Sequence, residues 1–226
     1  MDTALFFLFS TIEYMVIFYL LITLFRRKFI EYLGSSIYIS MGLSLLSYVL
    51  RFDLNLENVA IIVQMLFFIS SICIVWKVQW FYAGIMTIIS YSTYLVIQGF
   101  CVLILKVTGI IELVSFLDKQ NHSVTLIGYV LQGASVILCL LICLFIKKFG
   151  YGWSFVPDGE GDVKYSEPTN KAFLLIMVCT TAAFGSIAYL SGMGNIIFFV
   201  VVLLLSASVL GLFFHITNKR ELKEND

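Results

Sequence analysis

Charge is scarce in this chain, and proline scarcer. Only 12% of the 226 residues are charged, against roughly 25% in soluble domains, so a water-facing surface cannot be assembled from them. Acidic and basic residues number fourteen each; with no basic excess, nucleic acid is not an expected partner. Both prolines, Pro157 and Pro168, sit in the one long hydrophilic run, Lys147 to Lys171. All five cysteines fall in apolar segments, which excludes an extracellular disulfide framework. Cys139 and Cys143 share a helix face at i,i+4 but lack the further ligands a metal needs. They read as small apolar packing residues, and no metal or cofactor is expected. Catalytic signatures are missing as well: no G-x-S-x-G, no H-E-x-x-H, no phosphate-cradling loop, and no lysine in the last apolar segment for a Schiff base. The expectation is a protein that is not an enzyme.

What the chain does have is hydrophobicity, at 61% of its residues. A bilayer core ~30 Å thick takes about 20 apolar residues at ~1.5 Å rise each. Seven segments qualify: Thr3 to Phe25, Tyr32 to Leu50, Val59 to Trp76, Trp80 to Leu105, Val124 to Ile146, Ala172 to Leu190 and Ile196 to Ile216. The reading is all-α: a polytopic membrane helix bundle of seven transmembrane helices in the bilayer of the cell membrane. The first segment is expected to stay as an anchor, since Asp2 replaces a basic n-region and no small-residue cleavage site follows. The chain then divides into a five-helix transmembrane block (1–148), a cytoplasmic loop (149–171), and a transmembrane hairpin with a short cytoplasmic tail (172–226).

Orientation follows from where the cations fall. With the N-terminus outside, Arg26, Arg27, Lys28, Lys77, Lys147, Lys148, Lys164, Lys171, Lys219, Arg220 and Lys223 are cytoplasmic, and only Arg51, Lys106 and Lys119 are external. That is a positive-inside bias, so the expectation is N-out and C-in. Trp76, Trp80 and Trp153 then lie at the inner interface, where amphipathic rings are favoured.

Glu13 is the only acidic residue inside a predicted span. A charge at mid-bilayer costs roughly 2.5–3.5 kcal/mol on insertion scales, so it should face protein or water. Polar stripes recur at helical period: Ser40, Ser44, Ser47 and Arg51 in the second segment, Thr87, Tyr91, Tyr94, Gln98 and Cys101 in the fourth, Gly128, Gln132, Ser135 and Cys139 in the fifth. Lipid offers no hydrogen-bond partner, so these stripes should turn inward, either as interhelical bonds worth about 0.6 kcal/mol each or as the wall of a site. Counted from the outer ends at ~1.5 Å per residue, Gln64 lies ~8 Å deep, Gln98 ~10 Å, Gln132 ~12 Å and Glu13 ~15 Å. The expected ligand site is therefore an outward-facing polar pocket of Glu13, Gln64, Gln98 and Gln132, with Tyr94 and Arg51.

Elsewhere, Val107, Ile110, Ile111, Val114 and Leu117 form the apolar face of an amphipathic helix expected on the outer surface, followed by the sequon Asn121-His122-Ser123. In the hydrophilic run, Asp158, Glu160 and Asp162 resemble the start of a calcium loop. Val163 replaces its turn glycine and Thr169 its bidentate glutamate, which argues against one. Trp153 and Phe155 are expected as an aromatic anchor and, with Asp158, as the contact for a cytoplasmic partner. Ser191 to Asn195 make the turn of the last hairpin, whose small residues suit close packing against other helices or a second protomer.

Six short patterns carry a resemblance. Glu13-Tyr14, SYVLR at Ser47 to Arg51, IVQ at Ile62 to Gln64, YLVIQG at Tyr94 to Gly99, GYVLQ at Gly128 to Gln132 and SFVPDG at Ser154 to Gly159 make the chain similar to the membrane-sensor portion of agr-type receptor histidine kinases of Gram-positive bacteria. The resemblance implies recognition of an extracellular peptide and signalling through a cytoplasmic kinase. One departure stands out: no phosphoacceptor-histidine region or ATPase domain follows the membrane part before Asp226. The expectation is a sensor-like protein acting through a separate kinase or a homodimer, or a sensor cut short of its kinase. The competing expectations are the substrate-binding component of a small-solute transporter and a non-catalytic scaffold or immunity protein.

Overall fold

A computed structural model of the protein describes residues 3–108, 126–156, 168–190 and 196–225, with the side chains of 29, 57–58, 106, 126–127, 168–169, 182–190, 196–199, 202 and 219–225 outside the description. Among these residues every regular element is helical: α1 (Thr3–Leu24), α2 (Phe29–Tyr48), a π-helical turn (Val49–Asp53), α3 (Glu57–Trp76), α4 (Trp80–Val107), α5 (Leu126–Phe149), α6 (Pro168–Leu190) and α7 (Ile196–Asn225). Each coincides with an expected apolar segment, and α7 continues through the charged tail. The surface amphipathic helix, the sequon, Asp158 with the rest of the acidic loop, and the Ser191 to Asn195 turn lie outside the described residues.

Among the described residues, five stretches are long and apolar enough to cross a membrane: Thr3–Leu24, Ile30–Asp53, Val59–Trp76, Trp80–Leu105 and Gly128–Phe149. In α6 and α7 the described apolar stretches are shorter, Asn170–Thr181 and Leu203–Asn218. The chain is a multi-pass helical membrane protein.

Two helices form the centre. α1 packs on α2, α4 and α5, while α4 also meets α3, α5, α6 and α7. From Val16 to Phe25 nearly every residue of α1 is buried, and Phe81 to Ser90 of α4 is buried without a break. A helix enclosed on all sides needs no polar face, which fits the unbroken apolar run Met15 to Ile22. Cys139 and Cys143 are fully buried in the same core, as packing residues.

The end of the bundle carrying Arg26, Arg27, Lys77, Lys147 and Lys148, here the basic end, is closed by the chain itself. α1 stops in a six-to-one turn with Arg26 left-handed: the Arg27 N–H donates to the Ile22 carbonyl at 2.9 Å. α5 ends the same way at Gly150, where Tyr151 N–H meets the Ile146 carbonyl at 3.0 Å. Residues 150–156 then run back beneath α1. The Trp153 N–H donates to the Leu24 carbonyl at 2.8 Å, and the Arg26 and Arg27 guanidiniums donate to the Gly150 and Val156 carbonyls at 2.7 and 2.9 Å. The Trp153 indole donates to the Asn218 side chain at 3.1 Å. Its ring packs on Phe25, Phe213 and Phe214, and Phe155 stacks on Phe173 with centroids 5.7 Å apart.

This bears on two expectations. Trp153 and Phe155 are buried, at 6% and 4% exposed, and their rings pack on Phe25, Phe173, Phe213 and Phe214. The Arg26-Arg27 pair is more than a charge signal, since it clasps this segment. Of the other tryptophans, Trp76 is buried against Tyr32 and Phe18, and Trp80 is exposed.

Candidate functional site

Away from the basic end, five helices surround a polar cavity of about 120 Å³. From α1 come Ser10, Glu13, Tyr14 and Ile17; from α4 come Tyr91, Tyr94, Leu95 and Gln98. Both sets are spaced 0, 3, 4 and 7, the period that puts four residues on one helix face. The central pair thus faces itself with two matching stripes. α3 adds Ile61 and Gln64, α5 adds Gln132, and the end of α2 adds Ser47 and Arg51. Arg51 sits within the π-helical turn, whose closing bond runs from the Leu54 N–H to the Val49 carbonyl at 2.9 Å. A π turn inserts an extra residue and so rotates the residues beyond it; here it sets the direction of Arg51 relative to Ser47.

All six residues expected at the ligand site, Glu13, Arg51, Gln64, Tyr94, Gln98 and Gln132, line this one cavity. The polar stripes are buried too: Ser40, Ser44, Ser47, Thr87 and Ser135 are at most 1% exposed. Ser10, Tyr14, Ser47 and Tyr91 complete the polar wall and were not singled out as site residues. For Ser10 and Tyr14 the signal was available, since both share the face of Glu13 on α1.

Two hydrogen bonds fix the walls. The Gln132 amide donates to Glu13 Oε2 at 2.9 Å, tying α5 to α1. The Tyr14 hydroxyl donates to Gln64 Oε1 at 3.0 Å, tying α1 to α3. Other polar atoms are left over. Gln64 Nε2 and the hydroxyls of Tyr91 and Tyr94 are buried and have no hydrogen-bond partner among the described residues. The Tyr94 hydroxyl approaches the Glu13 carboxylate without meeting it in bonding geometry. Arg51 lies within electrostatic range of Glu13, Tyr14 and Tyr91, yet no ion pair joins it to Glu13. A buried polar group left without a partner costs about 1–3 kcal/mol, so a cluster of them at one place is expensive for structure alone.

The arrangement can accept a donor at Glu13 and donate to an acceptor from Arg51, Gln64, Tyr91 and Tyr94. Among the described residues no group of three or more His, Cys, Asp or Glu could hold a metal ion. Comparisons with protein-family models, curated proteins and solved structures gave no match.

Proposed function

We propose that this chain is a cell-membrane sensor of seven spans, N-terminus outside and C-terminus in the cytoplasm. In this reading it takes up an extracellular ligand, a peptide side chain or a small molecule, in the polar cavity. It then signals through a cytoplasmic kinase or a second copy of the chain, without catalysis of its own. The supporting observation is the convergence of Glu13, Arg51, Gln64, Tyr94, Gln98 and Gln132 on one cavity whose polar atoms are incompletely partnered. Interhelical packing would be served better by completed bonds. The likeness to agr-type sensors points the same way, because five of its six patterns supply cavity residues: Glu13 and Tyr14, Ser47 and Arg51, Gln64, Tyr94 and Gln98, and Gln132.

The cavity's size favours one alternative. At about 120 Å³ it is well below the roughly 300–1,000 Å³ of pockets that enclose drug-sized ligands, so a small solute fits as well as one residue of a peptide. The substrate-binding component of a solute transporter therefore stands second.

Thermal unfolding of the purified protein with secreted peptides and small solutes tests the site. A ligand at about 100 times its Kd stabilises by roughly 2.7 kcal/mol, or about 5–10 °C for a chain of this length. Glu13→Gln and Gln98→Leu should abolish that shift. If both respond like wild type, the site assignment is wrong. Orientation is tested separately: reaction of Ser166→Cys with an impermeant thiol reagent outside intact cells would overturn N-out.

A further inference from the structure

The cavity holds one acid and one base that do not touch. Glu13 keeps Oε2 on Gln132, and its side chain lines the cavity. Arg51 is on the same wall system but makes no ion pair with it. Charges withdrawn from water are ordinarily paired, and a gap between two opposite ones is the complement of a molecule carrying both signs. Buried donors without a partner among the described residues remain in Gln64 Nε2 and the Tyr91 hydroxyl, while the Tyr94 hydroxyl lies beside the Glu13 carboxylate. Gln64 and Tyr91 add to Arg51 to receive anionic oxygens. About 120 Å³ corresponds to roughly four water molecules at ~30 Å³ each, or a handful of heavy atoms.

We infer that the cavity is built for a compact zwitterion, with its ammonium on Glu13 and its anionic oxygens on Arg51, Gln64 and Tyr91. This rests on the ligand-binding reading above and narrows it to a substrate class. A free α-amino acid is the smallest common ligand that carries both charges, one for Glu13 and one for Arg51. A phosphatidylethanolamine headgroup has the same pair of charges and is the other source.

The test is calorimetric titration of the wild-type protein in lipid-free detergent with glycine, alanine and serine. N-acetylalanine, which lacks the ammonium, and alaninamide, which lacks the carboxylate, are run beside them. Each blocked form should bind about tenfold or more weakly, as expected for losing a charge-assisted hydrogen bond. Addition of phosphatidylethanolamine, with phosphatidylglycerol as its anionic control, distinguishes the sources: binding of the ethanolamine lipid alone assigns the zwitterion to the bilayer. Equal binding of free and blocked alanine overturns the inference while leaving a ligand site in place. So does stabilisation by some secreted peptide or solute with no response to any zwitterion. A wild-type protein that responds to no ligand of any kind removes both the inference and the function it rests on.

Discussion

The joint at the basic end and the polar cavity use polar groups in opposite ways. At the basic end, the guanidiniums of Arg26 and Arg27, the Trp153 backbone and its indole all reach acceptors, each at 3.1 Å or less. Aromatic rings from α1, α6 and α7 close around them. At the cavity, two hydrogen bonds hold the walls while Gln64 Nε2, Tyr91 and Tyr94 have no partner among the described residues. The first pattern is that of a joint whose energy lies in completed contacts. The second withholds stability at one place, as binding sites commonly do. Substitutions should therefore be costly at the joint and, at the cavity atoms without a partner, nearly neutral or even stabilising.

The largest effect is expected from Trp153→Ala. It removes ring contacts with Phe25, Phe213 and Phe214 together with the Asn218 bond, and large-to-small changes of this kind cost ~3–5 kcal/mol. Equilibrium unfolding in detergent measures it. Gly152→Ala comes next. Gly152 has φ +136° and an added Cβ would lie 2.9 Å from the Leu24 carbonyl and 3.2 Å from that of Thr23. Backbone strain and overpacking together predict a loss of ~2–4 kcal/mol. Gly133→Ala on α5, where a Cβ meets nothing within 4 Å, should be neutral or slightly stabilising in the same assay. Parity between the two glycines would show that the joint does not hold the bundle.

A middle-sized effect belongs to Gln132→Leu. It strips Glu13 of the 2.9 Å hydrogen bond from α5, and hydrogen bonds to charged groups contribute ~1.5–3 kcal/mol. Glu13→Gln, which keeps a side-chain oxygen for Gln132, should lose less than half as much stability while losing ligand response. A matching loss in both variants would mean that the charge of Glu13 serves the fold and not the ligand.

Much of the cavity could be read from residue spacing. Ser47 and Arg51, Tyr94 and Gln98, and Gln132 stand on polar stripes whose period alone forbids them to face lipid. Depth counting then brought Glu13 and Gln64 into the same outer half of the bilayer. Two features lay outside that reach. The π turn at Val49–Asp53 adds a residue to one helical turn without altering the hydropathy of SYVLR, so the direction of Arg51 was hidden. The return of residues 150–156 beneath α1 depends on the carbonyl of Leu24 and the side-chain amide of Asn218, partners distant in sequence that no local pattern announces. Trp153 and Phe155 therefore read as surface aromatics, although the fold buries them.

The smallest and most discriminating change is Tyr94→Phe. The Tyr94 hydroxyl is buried in a side chain only 4% exposed and has no hydrogen-bond partner among the described residues, so deleting it removes a desolvated polar group and leaves the ring in place. The expected outcome is a gain of up to about 1 kcal/mol, or ~2–4 °C in Tm, accompanied by weaker ligand binding. Trp153→Phe at the joint deletes a polar atom that does have a partner, together with part of a ring packed on Phe25, Phe213 and Phe214, and should lose about 2–3 kcal/mol. Opposite signs for these two deletions would establish that the two regions differ in kind. If Tyr94→Phe loses stability as Trp153→Phe does, the cavity hydroxyl is satisfied in solution, the polar wall is structural, and the contrast between the two regions disappears.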